Sequence, residues 1–322
     1  MINLSICCLG FSGNPSFITS ADFFTQFLKA GDTIVNTLQE CNTIIIGDFL
    51  RIDEMAAIVS RNVGQKASIM FVGEPRNRFP FSQMSDLMWN ANAYHVAYGC
   101  VSAVRPNWIK YPLYVPLCTE DAFKTTNTYV QKSEPIQGKR FAALINRHDP
   151  GNTRIKIYNE ITQMGLQVDC PGDFINNCSN EELNRIGKPE WLKQYLFNIC
   201  FENFTDVQPG YISEKLMDAC LSGTIPIYNG TLDAVDERIF NKDRILFYNS
   251  ANYGEKMDWL MASNANYAEF YKQPVFMPTA WETIQQMKAN VANMFDGCRD
   301  IVAKIQHQLA AQGDNTSPVK DE

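Results

Sequence analysis

The chain has 322 residues, of which 45% are hydrophobic and 20% are charged. This length exceeds one ordinary core and predicts two domains of roughly 150 residues each. Lys and Arg number 28 against 35 Asp and Glu, and the resulting net charge of −7 disfavours nucleic acid or an anionic membrane as a partner. An anionic ligand would therefore need a local cluster of basic residues.

Apolar segments alternate with amphipathic segments along the chain, which is typical of α/β units with parallel sheets. The amino terminus, MINLSICCLGFSG, lacks a basic region and predicts a strand rather than a signal peptide. No apolar run reaches the ~20 residues that span a bilayer, so no transmembrane segment is expected. The predicted strands are residues 4–9, 43–46, 68–72, 94–97, 141–145, 166–168, 196–201, 224–228 and 245–247. The predicted helices are residues 20–29, 54–61, 152–164, 191–195, 212–222 and 253–262.

A polar segment at 115–138 carries Pro, Thr and Ser and interrupts the alternation, which predicts a linker between domains. After Pro278, apolar residues recur at helical spacing and predict a long C-terminal helix; they are Ile284, Met287, Val291, Met294 and Phe295. The expected divisions are a domain at 1–134, a domain at 135–312 with the C-terminal helix, and a disordered tail at 313–322.

The segment CFENFTDVQPGYISEKLMDACLSGTIPIYNG, at 200–230, joins two predicted strands through a helix. With the helix taken from Tyr211, the residues Tyr211, Glu214, Lys215 and Asp218 share one face. A helix amino end at the edge of a parallel sheet attracts phosphate, and Lys215 adds a full charge. Glu214 can accept hydrogen bonds from ribose hydroxyls. The pattern therefore indicates a site for a nucleoside diphosphate joined to a sugar, although a solvated ion pair on a surface helix explains it equally well.

Three parts of this segment resemble the signature of the α-1,3-fucosyltransferases of glycosyltransferase family 10: FEN at 201–203, YISEK at 211–215 and GTIPIYNG at 223–230. Only the loop between Asn203 and Tyr211 departs, being slightly longer than is usual in the family. Upstream, KRFAALINRHDPGNTRIKIYNEI resembles the start of the family's donor domain, with Arg154 as its arginine. SIMFVGEPRN, followed by YHVAYG and WIKYPLYVP, resembles the acceptor domain, whose catalytic carboxylate falls on Glu74.

The resemblance implies an α/β fold of GT-B type, in which two Rossmann-like domains face each other across a cleft. The implied enzyme is an inverting, metal-independent transferase that moves L-fucose from GDP-L-fucose to an oligosaccharide or glycoconjugate acceptor. By the family default the acceptor hydroxyl is O3 of N-acetylglucosamine, and no cofactor is needed besides the donor substrate. In this resemblance Glu74 is the general base, and the donor-binding residues are Arg154, Asn203, Tyr211, Glu214 and Lys215.

The sequence itself agrees with metal independence. No Asp-x-Asp pair lies at a strand end, and Asp233 and Asp236 are interpreted as helix-start residues. The ten cysteines form no CxxC pair and predict reduced, buried thiols rather than a zinc site or disulfides. Glycosylation of the sequon at Asn203 would place a bulky sugar in the predicted site. These observations predict a cytoplasmic protein.

Two alternatives stay open. The first is a transferase of another GDP-linked 6-deoxyhexose, because the spacing of the motif does not describe the sugar pocket. The second is a nucleotide-sugar-binding module without activity. The five residues Glu74, Arg154, Tyr211, Glu214 and Lys215 argue against the second alternative, since decay of function would erode the set.

Overall fold

The computed structural model describes residues 2–11, 24–47, 50–62, 64–72, 94–97, 108–149, 151–203 and 210–313. The chain forms two compact units. The first consists of Met1–Tyr111 and Met287–Glu322, and the second is Pro112–Gln286. The chain therefore enters the second unit at Pro112, upstream of the division expected at residue 134. The tail at 314–322 lies outside the described residues.

The first unit is built on a six-stranded sheet in the order β2-β1-β3-β4-β5-β6, with parallel pairing throughout. Its strands are β1 (Ser5–Leu9), β2 (Thr33–Val35), β3 (Thr43–Ile46), β4 (Ala67–Val72), β5 (Tyr94–Ala97) and β6 (Trp108–Lys110). Helix α1 (Ile52–Asn62) buries Met55 and Val59 against Ile44 and Met70 of the sheet. A parallel sheet of β-branched and sulfur-containing residues thus supplies the core of this unit.

The second unit contains a five-stranded parallel sheet in the order β11-β10-β9-β7-β8. Its strands are β7 (Arg140–Ala143), β8 (Val168–Asp169), β9 (Tyr195–Phe201), β10 (Ile225–Asn229) and β11 (Leu246–Phe247). Its helices are α2 (Glu120–Lys132), α3 (Thr153–Gln163), α4 (Glu181–Ile186), α5 (Lys188–Leu192), α6 (Glu214–Ser222), α7 (Tyr253–Ala262) and α8 (Asn264–Tyr271). The predicted α/β class with parallel sheets is confirmed.

A final helix, α9 (Ala280–Gly313), begins in the second unit and continues into the first, which confirms the predicted C-terminal helix. In the first unit its Phe295 ring lies 5.9 Å from that of Phe24. Arg299 donates to the carboxylate of Asp32, whose side chain is buried. The second half of α9 is therefore part of the core of the first unit. No helix in the described part of the chain combines the length and apolar composition of a membrane span.

The segment predicted as a linker contains helix α2. The hydroxyl of Thr119 accepts a hydrogen bond from the Ala122 amide at 3.1 Å and caps the helix. Phe123, Thr126 and Val130 form the buried face. The prediction was wrong because polar residues dominate the segment, so the few apolar positions that a short amphipathic helix needs were overlooked.

Other differences arise where elements are short or end at a specific cap. In the described part of the helix predicted at 20–29, only Thr25–Phe27 forms a 3₁₀ turn, and Leu28 is extended. The helix predicted at 191–195 is α5, which ends at Leu192 before β9 begins. Strands β2 and β6 have three residues each, too few to show a period, and were not predicted. Helices α4 and α8 were also missed.

The side chain of Tyr228 leaves no room for a Cβ atom at Gly230, the glycine that ends the GTIPIYNG motif. A Cβ atom on Gly230 would lie 2.3 Å from Cζ and 2.4 Å from the hydroxyl oxygen of Tyr228. The Tyr228 side chain is fully buried, so it has no free space into which it could move. Only glycine allows the chain to turn over this ring.

We expect Gly230→Ala to lower the free energy of unfolding by about 1–3 kcal/mol, the usual cost of forcing extra atoms into a packed core. The matched control is Gly254→Ala in helix α7, where an added Cβ meets no atom of the described structure within 4 Å. That change should stabilise by up to about 1 kcal/mol, because alanine is the better helix former. Urea unfolding of both variants measures the difference, and equal midpoints would contradict the packing argument.

Candidate functional site

Five of the six predicted site residues lie in the described part of the second unit. Arg154 is in the first turn of α3, Asn203 follows β9, Tyr211 precedes α6, and Glu214 and Lys215 begin α6. Ligands of parallel α/β sheets bind at the carboxyl ends of the strands, where β9 delivers the chain to α6. Glu74, predicted as the general base, lies outside the described residues, as do residues 204–209 of the lengthened loop.

Helix α6 starts later than the sequence suggested. Ser213 is its N-cap, with its hydroxyl accepting from the Lys215 amide at 3.4 Å. A serine cap ends the extended chain and satisfies one of the first helical N–H groups, the amide of Lys215. Tyr211 is therefore not on the face of α6 that carries Glu214 and Lys215, and that part of the helical-face prediction was wrong.

The Lys215 side chain is held between two carboxylates. Its ammonium nitrogen lies 3.1 Å from the Ser213 hydroxyl and 3.6 Å from Glu214 Oε1. It is also 4.0 Å from Glu202 Oε2, and only 16% of the side chain is exposed. The lysine thus presents a positioned charge beside the start of α6, where a phosphate group would also find the helix dipole.

Glu202, the middle residue of FEN, was not predicted as a site residue. Its Oε1 atom accepts from the Ser213 amide at 2.9 Å and lies 3.2 Å from the Tyr228 hydroxyl. Its Oε2 atom is buried and accepts no hydrogen bond from any described residue. Burial raises the pKa of this carboxyl, although Lys215 acts in the opposite direction. The signal in the sequence was a carboxylate placed directly after a continuous apolar strand, since a buried charge there needs partners.

Arg154 fixes the turn that follows β9. It is 1% exposed and donates to the main-chain oxygens of Phe201 and Glu202 at 2.9 and 3.0 Å. It also donates to the His148 carbonyl and, at 3.0 Å, to Asn203 Oδ1. Burial lowers the pKa of this guanidinium, but its Nε atom has no acceptor among the described residues. Arg154 and Asn203 are thus brought together, with the guanidinium largely engaged by the main chain.

A lysine at the start of α5 pairs with a carboxylate of α6. Lys188 Nζ lies 2.9 Å from Asp218 Oδ2, so Asp218 is committed to an ion pair. Burial alone would raise the pKa of Glu214, but Lys215 and Lys188 outweigh it and the net shift is downward. Glu214 is therefore ionised and 37% exposed. The role of Lys188, which comes from outside the motif, was not predicted.

The two aspartates interpreted as helix-start residues have that role. Asp233 Oδ1 accepts from the amides of Val235 and Asp236, and Asp236 Oδ2 accepts from the Asp233 amide. A 3₁₀ turn begins there. Among the residues that the structure describes, no group of three or more His, Cys, Asp and Glu could hold a metal ion. The described cysteines are free thiols.

Comparison with known sequences identifies the second half of the chain. A model of "Glycosyltransferase family 10 (fucosyltransferase) C-term" matches residues 135–312. The "Alpha-(1,3)-fucosyltransferase FucT" of Helicobacter pylori is 37% identical over 130 residues, which are 40% of this chain and 25% of that protein. The "4-galactosyl-N-acetylglucosaminide 3-alpha-L-fucosyltransferase 9" of Cricetulus griseus is 28% identical over 49% of this chain and 44% of that protein. The chain thus matches less than half the length of either relative.

Solved structures share the fold over nearly the whole chain. A crystal structure of an alpha1,3-fucosyltransferase superposes with a TM-score of 0.62 at 19% identity and covers 93% of this chain and 92% of that one. One of an alpha1,3-fucosyltransferase with GDP-fucose gives 0.59 at 17% identity, covering 91% of this chain and 90% of that one. The likeness therefore extends beyond the region that the family model matches.

We expect Lys215→Met to remove the charge at the start of α6 while keeping the apolar length of a side chain that is only 16% exposed. Loss of an electrostatic contact to a developing diphosphate charge should cost about 2–4 kcal/mol of transition-state stabilisation. Initial rates with GDP-fucose measure it. The control is Lys156→Met, since Lys156 is a lysine of α3 with a side chain 68% exposed. Activity of Lys215→Met within a few-fold of the control would contradict this position for the phosphates.

Proposed function

The chain belongs to glycosyltransferase family 10, the fucosyltransferases, and we therefore propose that it transfers L-fucose from GDP-L-fucose to a hydroxyl group of a glycan, with inversion at the anomeric carbon. The observation that carries the proposal is the junction of β9 and α6. There the buried Arg154 of α3, Asn203 of FEN and Lys215 of YISEK lie at one edge of the sheet.

The charges at this junction suit the departure of GDP. As the bond to fucose breaks, negative charge develops on the β-phosphate and must be stabilised by preorganised donors. Lys215 and the amino end of α6 supply a cation and a helix dipole for this purpose. Arg154 holds the turn that carries Asn203, so its first effect is on the shape of the site. Glu214 is ionised and can accept hydrogen bonds from hydroxyl groups of the donor.

The acceptor hydroxyl must lose its proton as it attacks the sugar, and Glu74 is the proposed general base. We propose O3 of N-acetylglucosamine as the acceptor position, which is the linkage that the name of the Cricetulus griseus relative describes. The acceptor would be an oligosaccharide or glycoconjugate, and the reaction would take place in the cytoplasm without a metal ion. A donor carrying another 6-deoxyhexose is the second candidate, because the motifs describe the diphosphate end of the donor.

A donor and acceptor screen tests the proposal. Purified protein is incubated with GDP-fucose or with GDP-rhamnose, a donor of another 6-deoxyhexose, each with and without N-acetyllactosamine, and the products are identified by mass spectrometry. We expect a fucosylated product only from GDP-fucose with the acceptor, and linkage analysis should place the fucose on O3 of N-acetylglucosamine. Absence of transfer from GDP-fucose to every member of a wider acceptor panel would contradict the proposed activity.

We expect EDTA to leave turnover unchanged within about twofold, because side-chain cations and helix N–H groups can supply the stabilisation that metal ions give other transferases. The measurement is the initial rate after dialysis against EDTA, with Mg²⁺ and Mn²⁺ added back in separate reactions. Strict dependence on either ion would show that Lys215 and the start of α6 do not by themselves stabilise the charge on the departing GDP.

The Glu74→Gln variant keeps the size of the side chain and removes its ability to take a proton. Transfer should fall by about 10²–10⁴-fold, the contribution of a positioned general base. GDP binding, measured by calorimetry, should be retained because the proposed diphosphate contacts come from Lys215 and the start of α6. Loss of both properties would indicate misfolding, and full transfer by a folded variant would place the base elsewhere.

A further inference from the structure

The two oxygens of the Glu202 carboxyl have unequal surroundings. Oε1 is supplied with donors by the Ser213 amide at 2.9 Å and the Tyr228 hydroxyl at 3.2 Å. Oε2 is buried without a described donor, and the nearest cation is Lys215 Nζ at 4.0 Å, beyond hydrogen-bond reach. Because the residue is 5% exposed, solvent contributes little. A proton on this carboxyl would therefore reside on Oε2, the oxygen that no described donor satisfies.

The charge count at the junction gives a reason for a proton to bind there. Three cations, Lys215, Arg154 and Lys188, face four carboxyls, so the ionised cluster has a net charge of −1; the carboxyls are Glu202, Glu214, Asp218 and Asp149. A nucleoside diphosphate would bring further negative charge beside Lys215. Like charges that share a buried site cannot all stay ionised, and the carboxyl with the weakest compensation takes a proton first.

Among the carboxyls of this cluster, Glu202 has the weakest compensation. The titratable and charged groups that act on Glu202 or that it acts on are Lys215, Glu214, Tyr228, Arg154 and Cys200. Of these, only Lys215 is a cation that approaches its carboxylate oxygens. Glu214 has a downward-shifted pKa set by two lysines, and Asp218 is paired with Lys188 at 2.9 Å. Burial raises the pKa of Glu202, which agrees with its being the first of these carboxyls to take a proton.

We propose that Glu202 takes up a proton from solvent when a nucleoside diphosphate binds beside Lys215, so that the site loses one negative charge as the anionic ligand arrives. This inference rests on the proposed function, which supplies the ligand class. Protonation removes one repelling charge and frees Lys215 from one of its two carboxylates. It also gives Oε2 an O–H group that can donate, where the ionised form could only repel phosphate.

Proton uptake by Glu202 makes the affinity for GDP depend on pH. Bound diphosphate raises the pKa of Glu202 above its value in the free protein, so protons are taken up on binding. Affinity for GDP must then fall as pH rises from the free pKa to the bound pKa, by at most about tenfold per pH unit for one group. Binding of the ligand phosphates to cations has the opposite effect, because it releases protons from GDP.

Calorimetry in buffers of different ionisation enthalpy counts these protons. Wild type and Glu202→Gln are titrated with GDP at a series of pH values above the ordinary range of a glutamate, because burial raises the pKa of Glu202. We expect the wild type to take up about 0.3–1 more proton per GDP than the variant, and only the wild type to lose affinity with rising pH through this group. The matched control is Asp218→Asn, which removes a buried carboxyl of the neighbouring helix α6 but should keep the wild-type proton count.

Equal proton counts in wild type and Glu202→Gln, with GDP bound by both, would overturn the inference and leave the proposed function intact. Loss of the uptake in Asp218→Asn as well would overturn it too, because the uptake would then not be specific to Glu202. Failure of the wild type to bind GDP at any pH would contradict the proposed function itself. If Glu202→Gln does not fold, the wild type decides: net uptake with GDP but none with uncharged guanosine supports the proposal, and no net uptake with GDP overturns it.

Discussion

A carboxylate buried at the end of a central strand is the constraint on which the site depends. Glu202 reaches from β9 to the N-cap of α6 and to the hydroxyl of Tyr228 on β10. Three consecutive elements of the chain, β9, α6 and β10, are thereby connected at the edge of the sheet where ligands bind. A buried acceptor that loses its donors costs about 1–3 kcal/mol, so the amide and the hydroxyl are fixed as firmly as the carboxyl itself. Gly230 completes the arrangement, because only a residue without Cβ leaves the Tyr228 ring in its place.

Arg154 and Glu202 act on the same turn from opposite directions. The guanidinium holds the main chain of Phe201 and Glu202 from the side of α3, while the carboxyl side chain holds the start of α6. Since both contacts are made before any ligand arrives, the site needs little reorganisation when charge develops on a leaving group. A basic side chain can therefore contribute to binding through geometry as much as through charge. The acidic chain as a whole, with its net charge of −7, can still form a site for an anion because the relevant charges are positioned locally.

The sequence predicted the sheet-forming segments well, because buried parallel strands such as β3 and β9 are continuous apolar runs with few competing interpretations. FEN and YISEK lie at the end of β9 and the start of α6, so the candidate site predicted from them falls at a strand-to-helix junction. Helix α2 was missed because its buried positions are only Phe123, Thr126 and Val130 in a polar segment. The partners of Glu202 and the Lys188–Asp218 pair could not be predicted either. They depend on which side chains meet across separate elements, and spacing along the chain carries no record of that.

Helix α9 has a consequence for how such a chain can be recombined. The first unit is discontinuous, because Met1–Tyr111 is completed by residues that arrive only after the second unit has been made. Phe295 and Arg299 supply contacts to Phe24 and Asp32 that no amino-terminal fragment contains. A chimera that replaces the second unit of this chain by that of a relative would therefore need two junctions, one near residue 112 and one within α9. During synthesis on the ribosome, the sheet of the first unit would lack the contacts of α9 until that helix has been synthesised.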